Sequence, residues 1–347
     1  MELKELIFSL SSLMSITGSE SYSTDKLNEI IGDVFDENYT DKIGNHIFVK
    51  KCGKENAPKI MIDCHFDEVG LMVTGVNDGG FLSITNVGGV DSKILQSSEV
   101  IVYGEREIYG VVSSTPSHLT KPNDAKKAKE ISSLVVDTGL TKEELERIAP
   151  VGTPIGFKGK YSELIGGRLA GKSFDDKACG ACVVDALSRV KKEELAGDIY
   201  FVFSTREEIG GAGAATSAYG IFPDYALATD VTFAWVAEDT DKKWSSMGTG
   251  IALSVSAVTD RKLTLASRKI CDENGIKYTL RAEPNDTGTN ANRIAVAYCG
   301  IPTVLASLPL RNMHTANEII SLDDAQALSD FVCEFVKSEE IAEVFKR

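Results

Sequence analysis

The apolar run Ile60–Ile62 leads, through Asp63-Cys64, into His65, Asp67 and Glu68. A strand that ends in a His-x-Asp-Glu cluster delivers polar groups to a sheet edge, where open α/β sheets bind their ligands. Imidazole is a common metal ligand, and a neighbouring carboxylate can orient its ring. His65 is therefore read as a metal ligand and Asp67 as the group that orients its imidazole. The pattern recurs along the chain. A run ending at Phe203 leads into Glu207-Glu208, and a run through Leu227 leads into Asp230. Phe174-Asp175-Asp176 opens a helical stretch, and His314 follows the apolar run Pro302–Leu310. A mixed His/Asp/Glu set suits Zn²⁺ or Co²⁺, and Mn²⁺ less well. Two cations ~3.5–4 Å apart need a bridging carboxylate and about two further ligands each. His65, Asp175, Glu208, Asp230 and His314 meet that count if one aspartate bridges. Adjacent residues leaving a strand point in different directions. One of Glu207 and Glu208 can then bind metal while the other takes a proton from an activated water; spacing leaves open which does which.

Taken singly, each piece has a structural explanation. Asp175-Asp176 are acids at a helix N-terminus, where the macrodipole favours them. Asp230 could open a turn. The weight lies in five such residues, each at a strand exit or helix start. Cys179-x-x-Cys182 lies inside a helical stretch with no second pair, so it reads as core packing. Gly210-Gly-Ala-Gly lacks the lysine of a phosphate loop and the full dinucleotide spacing, so it reads as a tight turn into a helix and no organic cofactor is expected. His46 is read as a hairpin residue, and His118 has no assigned role. The chain has no H-E-x-x-H and no G-x-S-x-G, and no carboxylate pair outside the metal set suited to glycoside hydrolysis.

These side chains need a scaffold. At 347 residues the chain allows two domains, and 43% hydrophobic residues allow a sizeable core. A net charge of −14 argues against nucleic acid and anionic membranes as partners. Seven scattered cysteines form no disulfide framework. The acidic N-terminus Met-Glu-Leu-Lys-Glu-Leu lacks a signal peptide's basic region. The expected setting is cytoplasmic. Apolar positions Leu3, Leu6, Ile7, Leu10 and Leu13 predict a helix over 3–15, and Ser23 or Thr24 a cap for the next one. Alternation about Gly44-Asn45 predicts a hairpin. From Val69 to about Gly166, short β-like runs separated by glycine turns predict a small barrel or sandwich, with a capping box at Thr141. The α/β rhythm then returns: a helix near 176–194, strands Ile199–Ser204 and Tyr225–Thr229, and a last helix near 322–336. The expected fold is α/β: a mixed-sheet catalytic domain with helices on both faces, made of residues 1–68 and 166–347, and an inserted β domain over 69–165.

With these residues assembled, the chain resembles metallopeptidase family 42, the tetrahedral aminopeptidases of glutamyl, leucyl, lysyl and deblocking types. The resemblance covers nearly the whole length. It rests on Gly44-Asn45, His65-x-Asp67-Glu68-x-Gly70, Thr115-Pro-Ser-His118, Asp175-Asp176-Lys177, Glu207-Glu208-x-Gly210, Asp230-Val-Thr232 and His314-x-x-x-Glu318. It implies that Asp175 bridges two metals. His65 and Asp230 would complete one site, Glu208 and His314 the other, and Glu207 would be the general base. It also implies a metallopeptidase catalytic fold, and a role for the inserted domain in building a homodimer and a hollow dodecamer. The family's usual Gly-Thr-Asp-Ala is Gly288-Thr289-Asn290-Ala291 here, and its usual arginine is Lys177. A carboxylate lost at Asn290, near a bound peptide, would bear on which N-terminal residue is accepted. The expected function is a two-metal aminopeptidase acting on peptides. The alternatives are an amidase or deacylase of N-acyl amino acids, and a non-catalytic member of the same fold.

Overall fold

The computed structural model describes residues 1–115, 119, 128–237 and 245–346. His118 and most of the lysine-rich stretch 121–129 lie outside these. Four parallel strands form the centre of an eleven-stranded sheet: Asp198–Ser204, Lys59–His65, Tyr225–Phe233 and Thr303–Arg311, side by side in that order. The predicted hairpin, Glu37–Thr40 with His46–Lys50, extends one side with antiparallel pairing. On the other side Glu318–Ser321, Arg168–Gly171 and Ser162–Leu164 follow. Ile251–Ser256 also pairs with Thr303–Arg311 and carries Tyr278–Glu283 outside it.

Parallel strands covered on both faces are apolar throughout, and Lys59–His65 is buried from Ile60 onward. Alternation divides its side chains. Ile60, Ile62 and Cys64 pack under the helices Leu3–Ser12, Phe174–Arg189 and Leu322–Lys337. Met61 joins the opposite cluster with Ala214, Ala218 and Ile221 of the helix Ala212–Ile221, and Ala291 and Ile294 of the helix Ala291–Ala295. Helices therefore cover both faces, as expected. The first helix stops at Ser12 because Leu13 turns extended. Ser23 precedes the helix Thr24–Ile31 but gives its hydroxyl to the Met14 carbonyl instead of capping.

Six antiparallel strands between Gly70 and Phe157 close into a barrel with its own core of Leu71, Val73, Leu82, Val100, Val102 and Val136. The capping box at Thr141 and Glu144 is present. Ser162–Leu164, which the sequence groups with the barrel region, pairs instead with Arg168–Gly171 across the Gly166-Gly167 turn and joins the large sheet.

Candidate active site

Strand register sets the first row of the site. Ser204 pairs with His65, and Asp230 pairs with Ser307. Tyr225 pairs with Ile60 and Ala228 with Asp63, so the same register carried two residues further sets Asp230 level with His65. Both side chains belong to the face that Met61 and Ala228 share. The predicted strand ends near Thr229, but the observed one runs to Phe233, because Val231 and Phe233 continue to pair with Leu308 and Leu310. Asp230 therefore projects from inside a strand.

Asp175 arrives at the start of the helix Phe174–Arg189, next to a cis peptide to Asp176. Its two oxygens face different partners. Oδ1 is 2.9 Å from His65 Nε2, and Oδ2 is 3.3 Å from His314 Nε2. His65 Nε2 is also 3.9 Å from Asp230 Oδ1, and His314 Nε2 is 3.3 Å from Glu208 Oε2. Two triads result, His65–Asp175–Asp230 and Asp175–Glu208–His314, each with its donor atoms within 4.8 Å of one another. All five residues picked out in the sequence come together.

Main-chain contacts hold the donors in place. His65 Nδ1 donates to the Asp67 carbonyl at 2.8 Å, and His314 Nδ1 to the Gly89 carbonyl at 2.8 Å. A carbonyl only accepts, so each ring is left with Nε2 as its donor atom toward the triads. Gly89 follows the barrel strand Phe81–Val87, and a Cβ there would come within 3.1 Å of the His314 ring. Asp67 meets His65 through that carbonyl. Its carboxylate, 3.7 Å from His65 Nδ1, accepts instead from the Glu207 and Glu208 N–H groups at 3.0 and 3.2 Å and from the Thr17 hydroxyl at 2.9 Å. It thereby fixes the turn that carries both glutamates. Glu318 accepts from the N–H groups of Phe174, Asp175 and His314. It joins two ligand-bearing segments, one of which holds His314 at φ 62°.

The donor set fits borderline divalent cations: two imidazoles with fixed Nε2 atoms, three carboxylates, and one aspartate divided between them. Burial pushes Asp230 and Glu208 well above the carboxylate range, and the charges of neighbouring acids add to the rise. Burial would raise Asp175 too, but hydrogen bonds from His314 and His65 hold it low. Glu207 belongs to neither triad. Burial pushes it to about 7, with Asp175 and Asp67 adding to the rise, and its side chain lines a cavity of about 540 Å³ with both histidines.

Asn290 is not in the cavity wall, where a bound peptide would meet it. It lies beneath, 2% exposed, donating through Nδ2 to Asp63 Oδ1 and Ser204 Oγ, both at 2.8 Å. Lys177 is buried, donating to the Leu13 carbonyl at 2.7 Å beside Glu68. Cys179 and Cys182 are core residues. His46 is buried in the hairpin, where burial lowers it to about 4. Gly211 takes φ 74° in the turn before the helix Ala212–Ile221. The holding roles of Glu318, Thr17 and Gly89 were not read from the sequence. Only Glu318 carried a signal, its four-residue spacing from His314.

The M42 glutamyl aminopeptidase family model matches residues 44–331. The lysyl aminopeptidase of Pyrococcus furiosus is 32% identical over 304 residues, covering 86% of each chain. An aminopeptidase structure from Desulfurococcus kamchatkensis superposes with a TM-score of 0.91 at 31% identity, covering 99% of this chain and 98% of that one. The TET1 peptidase of Pyrococcus horikoshii, which can assemble into a tetrahedron or a large octahedral shell, superposes at 0.84 with 28% identity, over 96% and 99%. The chain belongs to the M42 glutamyl aminopeptidase family, and is thus a hydrolase of the aminopeptidase class.

Proposed function

We propose that the two triads hold a pair of divalent cations, that Glu207 is the general base, and that the chain removes the N-terminal residue of peptides. One observation carries the reading: Asp175 divides its two oxygens between His65 and His314, as a bridging carboxylate must. Zn²⁺ or Co²⁺, with Mn²⁺ a third choice, would polarise the scissile carbonyl and lower the pKa of a water. His65, Asp175 and Asp230 would hold one cation, and Asp175, Glu208 and His314 the other. Glu207 stands outside both sets, fixed by its N–H to Asp67. It takes the water's proton and delivers it to the leaving amine. A raised carboxyl suits that task, because a base whose pKa lies near the working pH both accepts and returns a proton.

In this reading the units that form the large sheet and its helices do the chemistry, and the barrel strands between Gly70 and Phe157 make subunit contacts. Likeness to a peptidase that forms shells supports self-association, as a dimer or a dodecamer. Among the described residues no helix is long and apolar enough to cross a membrane. Seven free thiols, six of them buried, support a cytoplasmic setting. The test is Glu207→Gln. Hydrolysis of aminoacyl-anilides should fall by roughly 10²–10⁴ while two cations per chain stay bound. Full activity in this variant would remove the base assignment. Turnover of N-acyl amino acids in place of free-amine substrates would replace the aminopeptidase reading with the deacylase one.

A further inference from the structure

Among the described residues, one cationic side chain of the cavity has no acidic partner. Of its two arginines, Arg281 is paired, with Nε 3.2 Å from Glu283 Oε1. Glu283 is further engaged by the Ser254 hydroxyl at 2.5 Å. Asp286, on the same wall, accepts from the Gly288 N–H at 2.7 Å and from the Asn292 amide. Arg293 has no carboxylate within 4 Å among the described residues; its side chain bonds only to the Gly210 carbonyl, through Nε at 2.8 Å. The other cavity acids are the triad carboxylates and Glu207.

Arg293 is held at both ends. Its main-chain N–H donates to the Asn290 carbonyl at 2.9 Å, and Asn290 is tied to Asp63 and Ser204 under the sheet. Its stem lies on Gly211, where a Cβ would be 2.7 Å from Arg293 Cγ. The guanidinium thus lies across the turn that follows Glu207 and Glu208. Four of its five N–H donors make no bond to a described residue. A guanidinium presents a fork that matches a carboxylate, and side-chain ordering already in place lowers the cost of binding one.

We infer that Arg293 is a specificity-determining residue that receives a carboxylate of the substrate. Two sources supply that chemistry: an acidic side chain on the N-terminal residue, or the free C-terminus of a dipeptide. The inference rests on the aminopeptidase reading. The test uses the metal-loaded full chain and two substrate pairs, glutamyl- against leucyl-p-nitroanilide and leucylglycine against leucylglycinamide. In one pair the carboxylate-bearing member should be favoured in kcat/KM by roughly ten- to hundredfold, the worth of one charge-assisted hydrogen bond. Arg293→Ala should erase that ratio, mainly through KM, and Arg293→Lys should restore part of it. The pair that responds identifies the source. Ratios near one in the parent chain, or ratios unmoved by Arg293→Ala, overturn the inference and leave the aminopeptidase reading standing. Calorimetric binding of glutamate against glutamine, and of leucylglycine against leucylglycinamide, reads the same contact without turnover. Equal binding within both pairs overturns the inference. A preference lost in Arg293→Ala supports the contact even if a chain that hydrolyses no free-amine substrate has removed the reaction.

Discussion

Loading the site with zinc should expel protons, and the geometry gives the sign and the size of the effect. His314 Nε2 lies 3.3 Å from both Asp175 Oδ2 and Glu208 Oε2. Burial would lower its pKa, but the Asp175 hydrogen bond and the Glu208 charge outweigh that and raise it to about 9. His65 is raised as well, with Asp175 overcoming burial. The His314 ring therefore holds its proton at pH 7 in the metal-free chain, and a cation can use Nε2 only after the proton leaves. For His314 the gap from pH 7 to about 9 is roughly two units, or about 2.7 kcal/mol at 1.36 kcal/mol per unit. Proton and cation compete for one nitrogen, so affinity rises with pH, by about tenfold per unit for each proton displaced, and levels off above about 9. The assay is calorimetric titration of Zn²⁺ into metal-free protein at pH 7 in buffers of differing ionisation enthalpy. The slope of observed against buffer enthalpy counts the protons, and at least one per chain is expected. Zero slope, with affinity flat from pH 6 to 8, would refute the reasoning.

Two stability predictions concern the residues beneath the site. Glu68 is buried against Lys172 Nζ at 2.5 Å and Lys177 Nζ at 3.5 Å. Burial would raise Glu68, but the two lysines hold it at about 2. Burial lowers Lys177 itself to about 7, so Lys172, at shorter range, is the cation that counts. Glu68→Gln leaves a buried ammonium unpaired and should cost about 3–5 kcal/mol in urea unfolding; a loss under ~1 kcal/mol would show the pair to be idle. In the parent chain this contribution is complete above about pH 4.5 and is lost as pH falls toward 2, because the folded carboxyl titrates below the unfolded one. Asn290→Asp sets a second carboxyl against Asp63, already pushed to about 7 by burial. The two carboxyls must then share a proton, which raises the folded-state pKa further. Stability should therefore fall as pH rises through neutrality, by roughly 1–3 kcal/mol at pH 8 and less at pH 5. Equal thermal midpoints for variant and parent at both pH values would contradict it.

The sequence made the ligands legible because each stands where an apolar run ends or a helix begins, and periodicity marks those places. His65 and Asp230 then align by strand register alone. The barrel was legible from its spaced short strands and glycine turns, although Ser162–Leu164 went to the large sheet through a two-glycine hairpin. The residues that hold the ligands were less legible, because they act across the chain and partly through main-chain atoms. The Gly89 carbonyl meets a ring 225 residues away, and Glu68 finds Lys172 104 residues on, with no local spacing to announce either. Asn290 was misplaced for a related reason. Motif position put it beside the substrate, but its amide turns inward to Asp63, while its neighbours Thr289, Asn292 and Arg293 line the cavity.

The most direct test of the metal centre is anomalous diffraction from crystals grown with Zn²⁺ or Co²⁺. Two peaks per chain are expected, one among His65, Asp175 and Asp230 and the other among Asp175, Glu208 and His314, with Asp175 touching both. A single peak at full occupancy, or a pair that leaves Asp175 uncoordinated, would contradict the two-cation reading.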